Sequence, residues 1–126
     1  MRNMSFALTK PQMLARTKRV TRRLGWEFLK IGDLLQPVEK CMGLKPGEKI
    51  VKIGPPIIVT DKRREPLELL TRNLRYGFSE TELEGFGDDH VCNWPSEFVS
   101  MFCRTHRGCT PETVITRIAF DFTEAP

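Results

Sequence analysis

The stretch TVITRIAFDF (113–122) alternates so regularly that Val114, Thr116, Ile118, Phe120 and Phe122 fall on one face, the period of a half-buried strand. A sheet with a core on one side must therefore be part of the fold. Three earlier stretches read as strands: MSFALT (4–9), GDLLQPVEK (32–40) and EKIVKIGPPIIVTD (48–61). Gly54-Pro55-Pro56 interrupts the last of them and cannot continue a central ladder, so a bulge or bend is expected there.

Helix signals lie between the strands. Pro11 suits the first position of a short helix reaching about Ala15. Leu67, Leu70 and Leu74 stand at helical spacing, and SETE (79–82) is a capping-box pattern for a second helix that carries Leu83 and Glu84 and stops at Gly85. A third helix is predicted from Pro95 to about His106, burying Phe98, Val99 and Phe102. The order strand, small helix, strands, helices, strand predicts an α+β protein. Its strands are expected to curl into a small mixed β-barrel, Gly54-Pro55-Pro56 forming one corner, with short helices packed over its ends. A doubly wound sheet is disfavoured, because no Gly-rich phosphate loop joins a strand to a helix. With 126 residues, the chain is expected to form one domain that buries roughly two-thirds of its unfolded surface.

Apolar runs such as PPIIV (55–59) fall far short of the roughly 20 residues of a membrane span, and MRNMSFALTK is too short and polar for a signal sequence. A cytoplasmic protein with no membrane partner is expected. Cys41, Cys92, Cys103 and Cys109 then read as reduced thiols. His90, Cys92, Cys103, His106 and Cys109 include zinc-type ligands but no Cys-x-x-Cys pair or knuckle spacing, so no metal is expected.

The net charge of +4 is unevenly spread. Residues 10–23 contain six basic groups and no acid, residues 76–103 six acids and no Lys or Arg, and Lys62-Arg63-Arg64 forms a further basic cluster. Basic groups gathered on one surface suit a polyanion.

The basic stretch ARTKRVTRRLGW (15–26) also carries chemistry. Lys18 and Thr21 are three apart, opposite faces on a regular strand, so both reach one pocket only if the chain bends at 18–21. Flanking arginines and partial burial would then lower the Lys18 pKa and favour the amine that takes a proton from Thr21. Glu84, before Gly85-Phe86, could relay protons or hold a base. On spacing alone, a strand threonine, a solvated lysine and a helix-end acid are the simpler reading. The signatures of zinc deaminases, α/β-hydrolases and His-Glu-x-x-His metalloproteases are absent.

RTKRVTRR with LKIGDLLQPVEK, then LEGF with PSEFVSMF, and the closing VITRIAFDF, resembles the ASCH domain family of the PUA-like superfamily over about residues 5–122. The resemblance implies a PUA-like mixed barrel. In the family's Gly-x-Lys-x-x-Glu-x-Arg stretch, Arg16 takes the Gly place, Lys18 the Lys, Thr21 the Glu and Arg23 the Arg. Arg16 for Gly suggests that the turn before Lys18 needs no positive φ. Thr in the Glu place resembles the bacterial branch that hydrolyses N4-acetylcytidine to cytidine and acetate. By motif position its catalytic set becomes Lys18, Thr21 and Glu84, with Glu82 the alternative acid.

The implied reaction is cofactor-free amide hydrolysis. Thr21 would attack the acyl carbonyl, Lys18 would move the proton, and Arg23 or a backbone amide would stabilise the oxyanion. Trp26, Tyr76 and Phe86 are possible platforms for the base. The competing expectation is a non-catalytic module for single-stranded RNA, or an RNA nuclease. It would use the same cleft and grip phosphate through Arg16, Arg19, Arg22, Arg23, Lys62, Arg63 and Arg64.

Overall fold

The computed structural model describes residues 1–124. The chain runs β1 (Arg2–Ser5), α1 (Lys10–Ala15), β2 (Val20–Arg23), β3 (Leu34–Val38), β4 (Ile57–Pro66), α2 (Leu69–Arg72), α3 (Leu74–Leu83), α4 (Pro95–Thr105) and β5 (Val114–Phe122). The strands form one mixed sheet in the order β1-β3-β4-β5-β2, with β1 parallel to β3 and the other pairs antiparallel. The α+β class is as expected.

The expected closed barrel is not formed. β1 and β2, four residues each, are the two edges of the sheet, and no ladder joins them among the described residues. The contact between them comes from a side chain instead: the Arg23 guanidinium on β2 donates to the Ser5 carbonyl at the end of β1 (2.5 Å). The seam between the edges is therefore open to side chains.

The sheet buries both of its faces. One apolar cluster gathers Met4, Phe6, Leu35, Ile57, Val59, Ile118 and Phe120, and a second gathers Leu67, Leu70, Phe86, Phe98, Val99, Phe102 and Ile115. β5 supplies both clusters through Ile118 and Phe120 on one side and Ile115 on the other, so it is a central strand rather than a half-buried one. The α4 expectation holds: Pro95 occupies its first turn, and Phe98, Val99 and Phe102 are buried.

Four local expectations are corrected. β1 stops at Ser5, where the chain enters a 3-10 turn (Ala7–Thr9) that leads into α1. Residues 48–53 form no regular strand: Lys52 bridges Val38, the Glu39 N–H donates to the Val51 carbonyl and the Ile53 N–H to the Pro37 carbonyl (2.9 Å each), and Gly54 then turns the chain at φ +65° before β4 begins. β4 instead continues to Pro66, and its irregularity falls between Val59 and Asp61, away from Gly54-Pro55-Pro56. Finally, SETE lies inside α3 rather than at its start. Asn73 is the cap, its side chain accepting from the Tyr76 N–H at 3.1 Å, and Leu74 faces solvent.

Candidate active site

Lys18 reaches the interior because α1 ends abruptly. Arg16 adopts the left-handed conformation (φ 59°, ψ 30°), and its N–H closes on the carbonyls of Gln12 and Met13. The Gly place of the motif does need a positive φ, contrary to expectation, and an arginine bears it. The reversal is secured on both sides of Lys18. The Thr17 N–H donates to the Gln12 carbonyl (3.0 Å), and the Arg19 N–H donates to the Leu83 carbonyl at the end of α3 (2.7 Å). Regular pairing with β5 begins only at Val20. The reversal therefore falls at Arg16, before Lys18, rather than as a bend or bulge at 18–21, and residues 20–23 pair without irregularity.

Glu84 caps the C-terminus of α3, and Gly85 follows at φ +102°. A Cβ at Gly85 would lie 2.8 Å from Gln12 Cβ and Cγ and 3.3 Å from Lys18 Cβ, so a glycine is what lets α1 and Lys18 pack against this turn. The Lys18 ammonium donates to Glu84 Oε1 (2.6 Å) and to the Glu84 carbonyl (2.9 Å), which satisfies a helix-end carbonyl as well as the charge. Both side chains are almost fully buried. Glu82, the alternative acid, is exposed.

Thr21 and Arg23 share one face of β2. Arg23 Nε donates to Thr21 Oγ1 (3.1 Å), which leaves the hydroxyl proton of Thr21 free to be given away. The Arg23 guanidinium also lies over the Phe6 ring at 4.8 Å. Lys18, Thr21, Arg23 and Glu84 all line one cavity of about 230 Å³ at the open seam. Its apolar wall comes from both clusters, with Phe6 on one side and Phe86, Phe98 and Phe102 on the other.

Burial dominates the electrostatics. It lowers the Lys18 pKa, opposed by the Glu84 carboxylate and reinforced by the positive charges of Arg23 and Arg22. The direction is the one expected, with burial rather than neighbouring arginines as the main cause. Burial also brings Arg23 down to about 10, against the pull of Glu84, so it stays protonated at neutral pH.

Arg22 also borders the cavity, and the other expected residues lie elsewhere. Arg22 does not form a phosphate rim: it is 4% exposed and donates to Glu84 Oε2 (3.1 Å), Glu65 Oε1 (3.0 Å) and Glu80 Oε1 (2.5 Å). Arg117, its cross-strand neighbour on β5, also pairs with Glu80. Arg16 and Arg19 lie over the Phe122 ring, and Arg19 pairs with Asp121. Lys62 donates to the Glu27 carbonyl, Arg63 to the Tyr76 hydroxyl (2.6 Å) and Arg64 to Thr116 Oγ1 (3.0 Å). None of these three lines the cavity.

Of the three platform candidates, only Phe86 borders the cavity. Trp26 packs beside the first core and Tyr76 is hydrogen-bonded to Glu65. Sequence reasoning weighed His106 only as a zinc-type ligand, yet it lines the cavity and stacks on Phe102 at 3.9 Å, and it missed Glu80, which lies inside the SETE pattern but outside its Ser79–Glu82 capping pair. Arg117 carried a signal: it is a charged residue on the opposite face of an otherwise apolar strand pattern. Among the described residues, no three His, Cys, Asp or Glu side chains are grouped to hold a metal ion, and no helix is long and apolar enough to cross a membrane.

The mixed sheet with its packed helices is a fold that solved structures share. The fold is ASCH-like. It is similar to the ASCH domain from Lactobacillus crispatus JV V101 (TM-score 0.57, 15% identity, covering 94% of this chain and 77% of that one). It is also similar to a protein from Enterococcus faecalis V583 of the family DUF984 (TM-score 0.55, 13% identity, 95% and 74% covered). No family model and no curated protein matches the sequence.

Proposed function

We propose that the chain is an amidohydrolase that removes the acyl group from N4-acetylcytidine-type nucleosides. The observation that carries this reading is the convergence of Lys18, Thr21, Arg23 and Glu84 on one small cavity walled by aromatic rings. At about 230 Å³, the cavity lies below the roughly 300–1,000 Å³ of sites for drug-sized ligands, which suits a base with a small acyl group and leaves the sugar at the mouth. Phe86 is one of the rings that border the cavity and would pack against the base.

Two hydrogen bonds support this chemistry, Lys18 to Glu84 and Arg23 to Thr21, whereas among the described residues none joins Lys18 to Thr21, so the substrate-bound site must bring those two together. Glu84 takes a proton from the Lys18 ammonium along their 2.6 Å contact, and the resulting amine accepts the Thr21 hydroxyl proton. The Thr21 oxygen bonds to the acyl carbon, and the Arg23 guanidinium donates to the oxyanion. Collapse breaks the bond between carbon and the exocyclic nitrogen, which leaves as the amine with the proton returned through Lys18. Water then attacks the acyl-threonine ester by the same route, releasing the carboxylic acid and restoring Thr21.

Incubation with N4-acetylcytidine, followed by chromatography, is expected to release cytidine, and Thr21→Ala, Lys18→Met and Glu84→Gln each to lose roughly 100-fold or more. Intact N4-acetylcytidine after long incubation with the wild type would overturn the proposal. The second reading, a module for single-stranded RNA, draws on Arg16 and Arg19 gathered over Phe122. It would act through phosphate and be indifferent to Thr21→Ala.

A further inference from the structure

We propose that Arg22 is the positioning residue of this site, fixing the Glu84 carboxylate so that one oxygen faces Lys18 and the other is withheld from it. The inference rests on the amidohydrolase reading for its kinetic consequence but on geometry for its substance. Glu84 is divided between two cations: Oε1 accepts from Lys18 (2.6 Å) and Oε2 from Arg22 Nη1 (3.1 Å). Without Arg22, the carboxylate could rotate and offer both oxygens to the ammonium.

Arg22 can do this because it is itself immobilised. Its Nη2 is held by Glu65 from β4 (3.0 Å) and Glu80 from α3 (2.5 Å), and Glu80 is in turn gripped by Arg117 from β5. Three elements thus fix a side chain that β2 delivers from the face opposite Thr21. A guanidinium is suited to the task, since its planar fork binds several carboxylates in fixed directions and a lysine ammonium does not. Arg22 borders the cavity, but its guanidinium donates to Glu84, Glu65, Glu80 and Tyr76 and not to Thr21, so it acts through Glu84.

The charges facing Lys18 are Glu84 from the end of α3 and Arg22 and Arg23 from β2, while His106, just after α4, borders the same cavity. Behind Arg22 stand Glu65, Glu80 and Arg117, with the Tyr76 hydroxyl at 3.4 Å. Arg22 holds the Lys18 pKa down directly and also competes for Glu84, which holds it up. Losing Arg22 moves Lys18 upward on both counts.

The test follows the Lys18 side chain by NMR in protein labelled at lysine, through a pH titration, beside steady-state kinetics on N4-acetylcytidine. Arg22→Met is expected to shift the Lys18 titration to higher pH and to lower kcat roughly 10- to 100-fold with KM nearly unchanged. Arg22→Lys keeps the charge but not the fork, so it should lower kcat while leaving the titration close to wild type. If Arg22→Met does not fold, Arg22→Lys carries the kinetic test. Wild-type kcat in a folded Arg22 variant, or an unmoved Lys18 titration in folded Arg22→Met, would overturn the proposal. The titration needs no substrate. A wild type inert toward N4-acetylcytidine, with Lys18 shifting as stated, would therefore sink the functional reading and leave the positioning role standing.

Discussion

The Lys18 amine decides the chemistry at the scale of the residue, because a buried ammonium can serve as a base only after it gives up a proton. Desolvation lowers its pKa and Glu84 opposes that shift. The sign for a lysine with a lowered value is that the charged form is disfavoured in the folded protein. The active amine therefore appears as pH rises through a midpoint below the ordinary 10.5 of lysine. The pH profile of kcat is expected to rise with that midpoint. Glu84→Gln removes the carboxylate charge that raises it, so residual activity should rise at lower pH than in the wild type, measurable from cytidine release across a pH series. Lys18 and Thr21 were legible in the sequence as residue types at a telling spacing. The role of Arg22 was not, because a run of arginines gives no sign of which one turns inward to meet acids more than 40 residues away.

Two short turns carry the site at the scale of the element. Arg16 holds a left-handed φ of 59°, which costs a non-glycine residue roughly 1 kcal/mol. Arg16→Ala and Arg16→Gly both lose the contact with Phe122, so comparing them isolates the backbone. The glycine variant should be the more stable by about 1 kcal/mol in urea unfolding. α3 packs equally tightly. A Cβ at Gly77 would sit 2.0 Å from the Leu70 carbonyl oxygen and 2.8 Å from Pro95 Cγ, so Gly77→Ala is expected to destabilise the protein by about 3 kcal/mol or more.

Sequence periodicity identified α1, α4 and β5, where apolar spacing and a helix-starting proline agree. It failed at SETE, because Ser and Glu serve equally as a capping box and as ordinary helix residues. Asn73, with extended backbone, in fact starts α3. It failed again at 48–53, where the alternation was present but Gly54 turned the chain before a regular ladder could form.

The whole molecule explains the uneven charge. The basic stretch at 16–23 and the acidic stretch at 80–84 meet in the interior, so much of what looked like a surface for polyanions is internal pairing. Arg22, Arg117, Glu65, Glu80 and Glu84 form one buried network, and Arg19 and Arg64 spend their charge on nearby acids. A shallow salt dependence of RNA affinity is therefore expected, below the slope that seven phosphate contacts would give, on titration at two salt concentrations.

The network should also govern stability. Removing one partner of a buried ion pair costs about 3–5 kcal/mol, and Glu80→Ala, which leaves Arg22 and Arg117 facing each other across the strands, should fall in that range by denaturant unfolding. Burial raises the Glu80 pKa, but Arg117 and Arg22 outweigh it and hold it below its ordinary value. Its contribution is present at neutral pH and lost as pH falls through that lowered value.

The central claim is that Thr21 attacks the acyl carbon, and the acyl group it would carry is the most direct witness. Wild-type protein quenched in acid during turnover of N4-acetylcytidine, digested and examined by mass spectrometry should show one added acetyl group on the peptide containing Thr21, and Thr21→Ala should show none. Cytidine release by Thr21→Ala at the wild-type rate, with no acetyl group on that peptide in either protein, would contradict it.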